Sequence, residues 1–229
     1  IIQNDFFEYE FNYIETVPLL SQAKYPLDFF TNLTIKRLFD LIFAIIVLVG
    51  ICSWLFPIII LLIKLNDSKG PIFFVQKRYG YHDEVFDCLK FRTMKSENNK
   101  SDKTTSVDDD RITSIGKFLR KTSLDELPQF INVLIGNMSI VGPRPHMLLV
   151  DDFYKPKISR YSLRSMVKPG ITGLAQVSGL RGDEGDMNIG MKKRILADSF
   201  YVKNWSFSMD IVIILKTVLL LIFGDINAS

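Results

Sequence analysis

Cysteine and histidine are scarce in this chain. Its 229 residues include two cysteines, Cys52 and Cys88, and two histidines, His82 and His146. These side chains are widely separated, so neither a disulfide framework nor the spacing of a zinc site is present. The scarcity argues against a small disulfide-stabilised secreted domain and favours a reducing compartment.

A strong net charge is also lacking. Lys and Arg total 28 against 25 Asp and Glu, which gives a net charge of +3. Such a mild balance does not by itself indicate a nucleic-acid partner, and none is expected. No internal repeat is visible. The length suits one domain with a substantial core.

Charge is absent from one long apolar segment. The 23 residues from Leu41 to Ile63 carry none, and a straight helix of that length spans roughly 35 Å. Pro57 should kink it, and Ser53 can bond the backbone that the kink frees. These features alone leave open a kinked transmembrane helix or a re-entrant segment that returns on one face. Basic residues flank both ends and suit re-entry: Lys36, Arg37, Lys64, Lys69, Lys77 and Arg78.

The second apolar segment, from 211 to 223, contains Lys216 and has 13 residues, too few to cross a bilayer comfortably. It is expected to lie in the membrane interface with Lys216 reaching the headgroups, or to pack in the protein core.

The remaining sequence predicts an α/β fold that is mainly helical with a small β element. Two short strands are expected in GPIFFVQKRYG and EVFDCLKFRTM, and a loop from Ser96 to Asp110. VKPGITGLAQVSG indicates a turn and a strand. Helices are predicted in ITSIGKFLRKT, in SLDELPQFINVLIG with Gly136 as its C-cap, in the region 154–166, and in MKKRILADSFYV.

Adjacent carboxylates, Asp125 and Glu126, begin the second of these helices. One interpretation is structural: Ser123 and Glu126 form a capping box, and Asp125 complements the helix dipole. The other is a reactive centre, in which a carboxylate attacks phosphorus or holds a phosphate-bound metal near several cations. Local sequence favours the capping box and leaves the reactive centre open.

Several motifs occur in order: KRLFD, GPIFFVQKRYG, LKFRTM, RITSIGKFLRKTSLDELPQFINVLIGNMSIVGPRP, VKPGITGLAQVSG and FYVKNWSFSMD. Over about residues 34–223 they resemble the bacterial sugar transferase family, the monotopic polyprenyl-phosphate phosphoglycosyl transferases. NYIETVPLLSQAKYPLDFF resembles the linker of longer, undecaprenyl-phosphate glucose-phosphotransferase-like members, which carry transmembrane helices and a soluble domain before it. We therefore expect residues 1–34 to be a linker from an upstream region.

The resemblance implies transfer of a sugar-1-phosphate from a UDP-sugar to undecaprenyl phosphate with release of UMP. This would begin exopolysaccharide, capsule or O-antigen synthesis. Asp125 would be the nucleophile of a covalent aspartyl-phosphosugar intermediate, and Glu126 a catalytic residue and ligand of Mg²⁺. For two of the implied binding residues, Asp198 and Asp210, a cap or ion pair is an open alternative. The residues implied to bind substrate or phosphate are Lys90, Arg92, Arg120, Arg144, Arg181, Asp198 and Asp210.

The resemblance also implies the organisation of the chain. Residues 35–65 would form a re-entrant helix broken at Ser53 and Pro57, and residues 66–229 a cytoplasmic catalytic domain with an interfacial helix at about 211–223. The protein would work at the cytoplasmic face of the bacterial inner membrane, with UDP-sugar, undecaprenyl phosphate and membrane lipid as partners. A homodimer is left open.

The sequence departs from the family pattern at four places. Trp54 follows Ser53 where proline is common, and Asn137, Ser178 and Asp110 replace usual residues. None of these is in the carboxylate pair. Two rival functions remain, a glycosyltransferase that releases UDP and a membrane-anchored non-catalytic assembly module. The motifs do not name the sugar, although GPRPH and the linker resemble the glucose- or galactose-transferring branch.

Overall fold

The computed structural model describes residues 9–14, 17–66, 69–95, 109–180 and 187–223. This part of the chain is mostly helical with a small amount of sheet, as predicted. The helices are α1 (Phe30–Val47), α2 (Ser53–Asn66), α3 (Ser114–Lys121), α4 (Gln129–Ile135), α5 (Leu148–Tyr154), α6 (Leu174–Val177), α7 (Met187–Asn204) and α8 (Phe207–Phe223). The strands are β1 (Tyr9–Ile14), β2 (Val17–Gln22), β3 (Phe73–Tyr79), β4 (Val85–Phe91), β5 (Ser139–Val141) and β6 (Gly170–Thr172).

The described strands form three separate pairs. β1 with β2 and β3 with β4 are antiparallel, whereas β5 pairs with β6 in parallel. The β3–β4 pair confirms the two predicted strands. Glycine is needed where β6 meets the chain after β5, because a Cβ on Gly170 would lie 2.1 Å from the backbone nitrogen of Gly142. These short pairs bring separate loops together rather than forming a sheet-based core.

α1 and α2 form one long apolar helix, Phe30–Asn66, which is long and apolar enough to cross a membrane by length and composition. A π-helical turn, Leu48–Cys52, separates the two halves. The Ser53 hydroxyl donates to the Val49 carbonyl at 2.6 Å, one turn earlier. Pro57 lies inside α2. The departure from α-helical geometry therefore lies before Ser53 and not at Pro57, and the re-entrant shape stays a prediction.

Two helix boundaries differ from the sequence prediction. The apolar helix begins at Phe30 instead of residue 35. The strands β1 and β2 lie within residues 1–34, the predicted linker. The C-terminal helix begins at Phe207, before the predicted 211. Each helix begins in a mixed polar and aromatic segment, residues 30–34 or 207–210, that precedes the predicted run.

Two predicted helices are divided. SLDELPQFINVLIG forms a 3₁₀ turn, Leu124–Glu126, followed by α4, and Gly136 is the C-cap of α4 as predicted, with a left-handed φ of 104°. The region 154–166 holds the end of α5 and a 3₁₀ helix, Tyr161–Met166. Of the predicted loop from Ser96 to Asp110, residues 96–108 lie outside the described residues.

The KRLFD motif attaches α1 to the rest of the protein. Lys36 forms a buried ion pair with Asp210 on α8, with 2.7 Å between nitrogen and oxygen. Asp40 accepts hydrogen bonds from the Ser139 hydroxyl and the Ile140 amide, both at 3.0 Å. The motif thus holds the long apolar helix against β5 and α8.

The main hydrophobic core lies among α1, α4, β5, α7 and α8. Its most buried members include Ala44, Val133, Val141, Val202 and Ile213. The other side of α8 is exposed and apolar, which is the pattern expected of a helix that meets lipid. Its exposed residues include Val212, Leu215, Leu219, Ile222 and Phe223.

Candidate active site

The carboxylate pair lies in an unusual link between α3 and α4. Ser123 adopts a left-handed conformation with φ of 55°, and its side chain makes no capping hydrogen bond. The predicted capping box is therefore wrong. Such a conformation is uncommon outside glycine, asparagine and aspartate. It turns the chain sharply before the 3₁₀ turn that carries Asp125 and Glu126.

Glu126 is held by two cations from separate elements. Lys90 on β4 donates to its Oε1 at 2.6 Å. Arg144, in the loop after β5, donates to Oε1 at 2.5 Å and to Oε2 at 3.1 Å, which is a bidentate arrangement. Burial raises the pKa of Glu126, but Arg144 and Lys90 together lower it well below its usual range. Glu126 is therefore ionised at neutral pH.

Asp125 has a different environment although it is the next residue. Its side chain is buried, and in the described part of the chain no hydrogen bond or ion pair joins its carboxylate to another residue. Burial is the main cause of a raised pKa, and the neighbouring Glu126 charge adds to it, while Lys90, Arg120 and Arg144 oppose it. The pair thus combines one carboxylate held by two cations with one that has no hydrogen-bond or ion-pair partner among the described residues.

Asn132 helps to position the strand from which Lys90 contacts Glu126. Its side-chain oxygen accepts from the Leu89 amide at 3.0 Å, and its amide group donates to the Asp87 carbonyl at 2.8 Å. These bonds fix α4 against β4, the strand that carries Lys90. Sequence reasoning missed Asn132. A buried amide inside an amphipathic pattern was the only available signal.

Two further predicted cations are Arg120, which lies near Asp125, and Arg92. Arg120 on α3 donates from Nε to the Thr93 hydroxyl at 2.9 Å. Burial lowers its pKa, and Asp125 opposes that shift. Arg92 is almost fully buried, and its backbone amide donates to the Ile72 carbonyl. Arg181 lies outside the described residues.

Asp198 is linked to Arg144 through a third residue, Arg164. It pairs with Arg164 at 3.3 Å, and Arg164 also donates to the backbone carbonyl of Arg144. Burial raises the pKa of Asp198 to about 6, although Arg164 opposes the shift. The same guanidinium lies 3.2 Å from Asp151 and contacts His146. Burial and Arg164 lower the pKa of His146 to about 3, so this histidine is neutral at physiological pH.

Asp210 is placed elsewhere. Its carboxylate accepts from Lys36 at 2.7 Å, from the Tyr201 hydroxyl at 2.8 Å and from the Trp205 indole at 3.1 Å. None of these partners contacts Glu126 by a hydrogen bond or ion pair in the described chain. The contacts match the ion-pair alternative for Asp210, and the structure does not bring this residue into the Glu126 cluster.

The described residues contain no group of three or more metal-binding side chains close together. Mg²⁺ needs fewer in enzymes that act on phosphates, because one or two carboxylates and the substrate phosphates complete its shell. Adjacent carboxylates at Asp125 and Glu126 fit that requirement. The cations on Glu126 would then share its oxygens with the metal.

The matches to known proteins cover the same part of the chain. The family model described as bacterial sugar transferase matches residues 31–224. A Klebsiella pneumoniae protein named UDP-glucose:undecaprenyl-phosphate glucose-1-phosphate transferase is 45% identical over 96% of this chain and 45% of its own length. A Caulobacter vibrioides protein of the same name is 43% identical over 83% of this chain and 70% of its own length.

An Aeromonas hydrophila protein named UDP-N-acetylgalactosamine-undecaprenyl-phosphate N-acetylgalactosaminephosphotransferase is 39% identical over 83% of this chain and 44% of its own length. The chain spans less than half the length of the Klebsiella and Aeromonas relatives. The match nevertheless covers the α1–α2 helix, the carboxylate pair and α8. The chain therefore belongs to the bacterial sugar transferase family.

Proposed function

We propose that this protein transfers glucose-1-phosphate from UDP-glucose to undecaprenyl phosphate and releases UMP. The observation that supports this most is the asymmetry of the carboxylate pair: Asp125 has no partner among the described residues, whereas Glu126 is held by two cations. The names of the relatives supply the nucleotide sugar and the lipid acceptor. N-acetylgalactosamine is the second candidate sugar because of the Aeromonas relative.

The chemistry proceeds in two displacements. In the first, an Asp125 carboxylate oxygen bonds to the sugar-bearing phosphorus of UDP-glucose. The bond from that phosphorus to the bridging oxygen breaks, and UMP leaves with the oxygen. In the second, a phosphate oxygen of the lipid bonds to the same phosphorus, and the bond to Asp125 breaks. The carboxylate is regenerated, and the lipid carries the diphosphate-linked sugar.

The residues around Asp125 have separable parts in this proposal. Its raised pKa makes the carboxylate more basic, and a more basic oxygen is the stronger nucleophile once ionised. Lys90, Arg120 and Arg144 would stabilise the negative charge of the diphosphate. Glu126 would hold Mg²⁺, which when bound would neutralise the diphosphate and favour departure of UMP. Arg92 and Arg181 stay predicted contributors to phosphate binding.

Membrane attachment supports the same reaction. One substrate is water-soluble and the other is a membrane lipid, so the site must lie at a membrane surface. We infer that the helix Phe30–Asn66 enters the cytoplasmic leaflet of the inner membrane and returns, with the bend at the π-helical turn Leu48–Cys52. The exposed apolar face of α8 would lie in the interface. The product would begin exopolysaccharide synthesis.

Intact mass would test the reaction. The chain in nanodiscs is incubated with Mg²⁺ and separate UDP-sugars, without lipid acceptor, beside Asp125→Asn. We expect a mass gain of one hexose phosphate with UDP-glucose and none in the variant. UMP release only after undecaprenyl phosphate is added, without an adduct, would contradict the covalent intermediate. Release of UDP would indicate the rival glycosyltransferase, and release of neither nucleotide the non-catalytic module.

A further inference from the structure

A small space at the C-terminal end of α4 is bordered by two cations. Gly136 has a left-handed backbone, and a Cβ placed on it would lie 3.5 Å from Arg37 Nη2 and 3.6 Å from Lys168 Nζ. The guanidinium and the ammonium therefore face the same space, which glycine leaves free. This end of α4 is separated from Glu126 by the seven-residue helix, roughly 10 Å long.

The charges around this space are unbalanced. Arg37 donates to the Val133 and Leu134 carbonyls, which satisfies the end of α4. Lys168 makes no hydrogen bond or ion pair within the described residues. The nearby carboxylate is Asp40, one oxygen of which is taken by Ser139 and Ile140. Among the described residues, two cations thus face one carboxylate.

The helix end does not resolve this imbalance. Its partial negative charge and its last carbonyls account for Arg37 but leave Lys168 without an acceptor. Partial burial and the positive charge of Arg37 lower the pKa of Lys168, while Asp40 opposes the shift. Two close cations are stabilised when an anion lies between them.

The position along α1 indicates where such an anion would come from. Arg37 lies four residues, or about 6 Å, before Leu41, where the uncharged run begins. Exposed Phe30 and Leu38 on the same part of α1 suit the interfacial region of a bilayer. If the helix enters the membrane at Leu41, the space beside Gly136 is at the level of the lipid phosphates.

We propose that the space bordered by Arg37, Gly136 and Lys168 binds the phosphate group of an anionic membrane lipid, which a zwitterionic lipid such as phosphatidylcholine does not replace. Lys168 would donate directly to the phosphate oxygens, and Arg37 would contribute charge while it continues to cap α4. The inference rests on the membrane insertion proposed above. It adds a lipid-phosphate site at the end of α4 opposite Asp125.

The test uses the chain in nanodiscs of phosphatidylcholine alone, or with phosphatidylglycerol, undecaprenyl phosphate or inorganic phosphate added. Thermal unfolding is the readout, because a ligand that binds the native state raises the midpoint. We expect phosphatidylglycerol to raise the midpoint by about 2–4 °C in the wild-type chain and in Lys168→Arg. Lys168→Gln should lose most of the rise. Lys77→Gln, which removes an exposed charge on β3, should keep it.

The outcomes separate the sources of phosphate. A rise that depends on Lys168 with phosphatidylglycerol supports a phospholipid ligand, and one with undecaprenyl phosphate alone supports the acceptor lipid. An equal rise with inorganic phosphate, or equal rises in all variants, overturns the site. Failure of the wild-type chain to enter nanodiscs overturns the membrane insertion as well. Entry without a Lys168-dependent rise overturns this inference alone.

Discussion

Glu126 and Asp210 are both carboxylates paired with a lysine, yet their surroundings differ. The Asp210 side chain is 0% exposed, and its oxygens are occupied by Lys36, Tyr201 and Trp205. Glu126 is also largely buried, but Arg144, one of its partners, is 37% exposed on its side chain. The first cluster is closed to solvent. The second is open at Arg144 and adjoins Asp125, whose carboxylate has no partner in the part of the chain that the structure describes. The family motifs predicted a functional role for both residues, with a cap or ion pair as the alternative for Asp210, and their surroundings in the structure distinguish them.

The largest effect should follow from breaking the closed cluster. Asp210→Asn leaves the Lys36 ammonium buried without its counter-charge, and we expect a loss of about 3–5 kcal/mol in the free energy of unfolding. Denaturant unfolding in detergent would measure it. Lys36→Met combined with Asp210→Asn should recover part of the loss because no unpaired charge remains. A loss below about 1 kcal/mol in the single variant would contradict the structural role of Asp210.

The matched change in the open cluster should affect activity instead. Glu126→Gln keeps the shape of the side chain but removes the charge that Lys90 and Arg144 share. We expect transfer to fall about 10²–10³-fold, and unfolding free energy to change less than in Asp210→Asn because Arg144 can turn to solvent. UMP release with UDP-glucose and undecaprenyl phosphate is the measurement. Near-normal release with a large stability loss would reverse the comparison.

Asn132 offers a smaller test of how the open cluster is built. Asn132→Ala removes both bonds to the backbone of β4 and leaves an amide and a carbonyl unpaired. We expect a stability loss of about 2–3 kcal/mol, with weaker transfer because Lys90 is no longer fixed. Asn204→Ala is the control, since Asn204 makes one exposed local bond to Phe200 and should cost under about 0.5 kcal/mol. Equal losses of stability in both variants would contradict the role of Asn132 in fixing β4.

Much of the fold could be predicted from local patterns. The β3–β4 strands and α3 follow from apolar periodicity, and Gly136 marks the end of α4 through its backbone freedom. The division at Leu124–Glu126 could not be predicted in this way. Ser123 followed by Glu126 fits a capping box, but Lys90 and Arg144 hold the Glu126 side chain away from that role. Such tertiary contacts override local propensity.

The site shows the same limit. The resemblance predicted functional roles for Asp125, Glu126, Lys90 and Arg144, and the structure brings these four residues together. It could not separate Asp198, behind Arg144, from Asp210, which stabilises the join of α1 and α8. Apart from the position of the Asn132 amide in an amphipathic pattern, Asn132 and Arg164 carry no local signal, because they bind backbone atoms distant in sequence.

The smallest effect is a pH shift, and it tests the asymmetry within the carboxylate pair. The pKa of Asp125 is raised above its ordinary 3.8, mainly by burial, and Lys90 is the largest opposing influence. Only the ionised carboxylate can attack phosphorus, so formation of the mass adduct should increase as pH rises through this raised pKa. Lys90→Met removes the opposing charge and should move that increase to higher pH, whereas Lys77→Met on neighbouring β3 should not.

Stability should respond with opposite signs at the two carboxylates. The depressed pKa of Glu126 contributes stability above its unfolded value of 4.5, and this is lost as pH falls through the folded pKa. The raised pKa of Asp125 acts in reverse, since its ionisation between the unfolded and folded pKa values costs stability. Asp125→Asn should therefore unfold less readily than the wild-type chain at neutral pH, and Glu126→Gln more readily. If both variants shift in the same direction, or the adduct's pH profile ignores Lys90, the two carboxylates are not divided between a reactive and a clamped role.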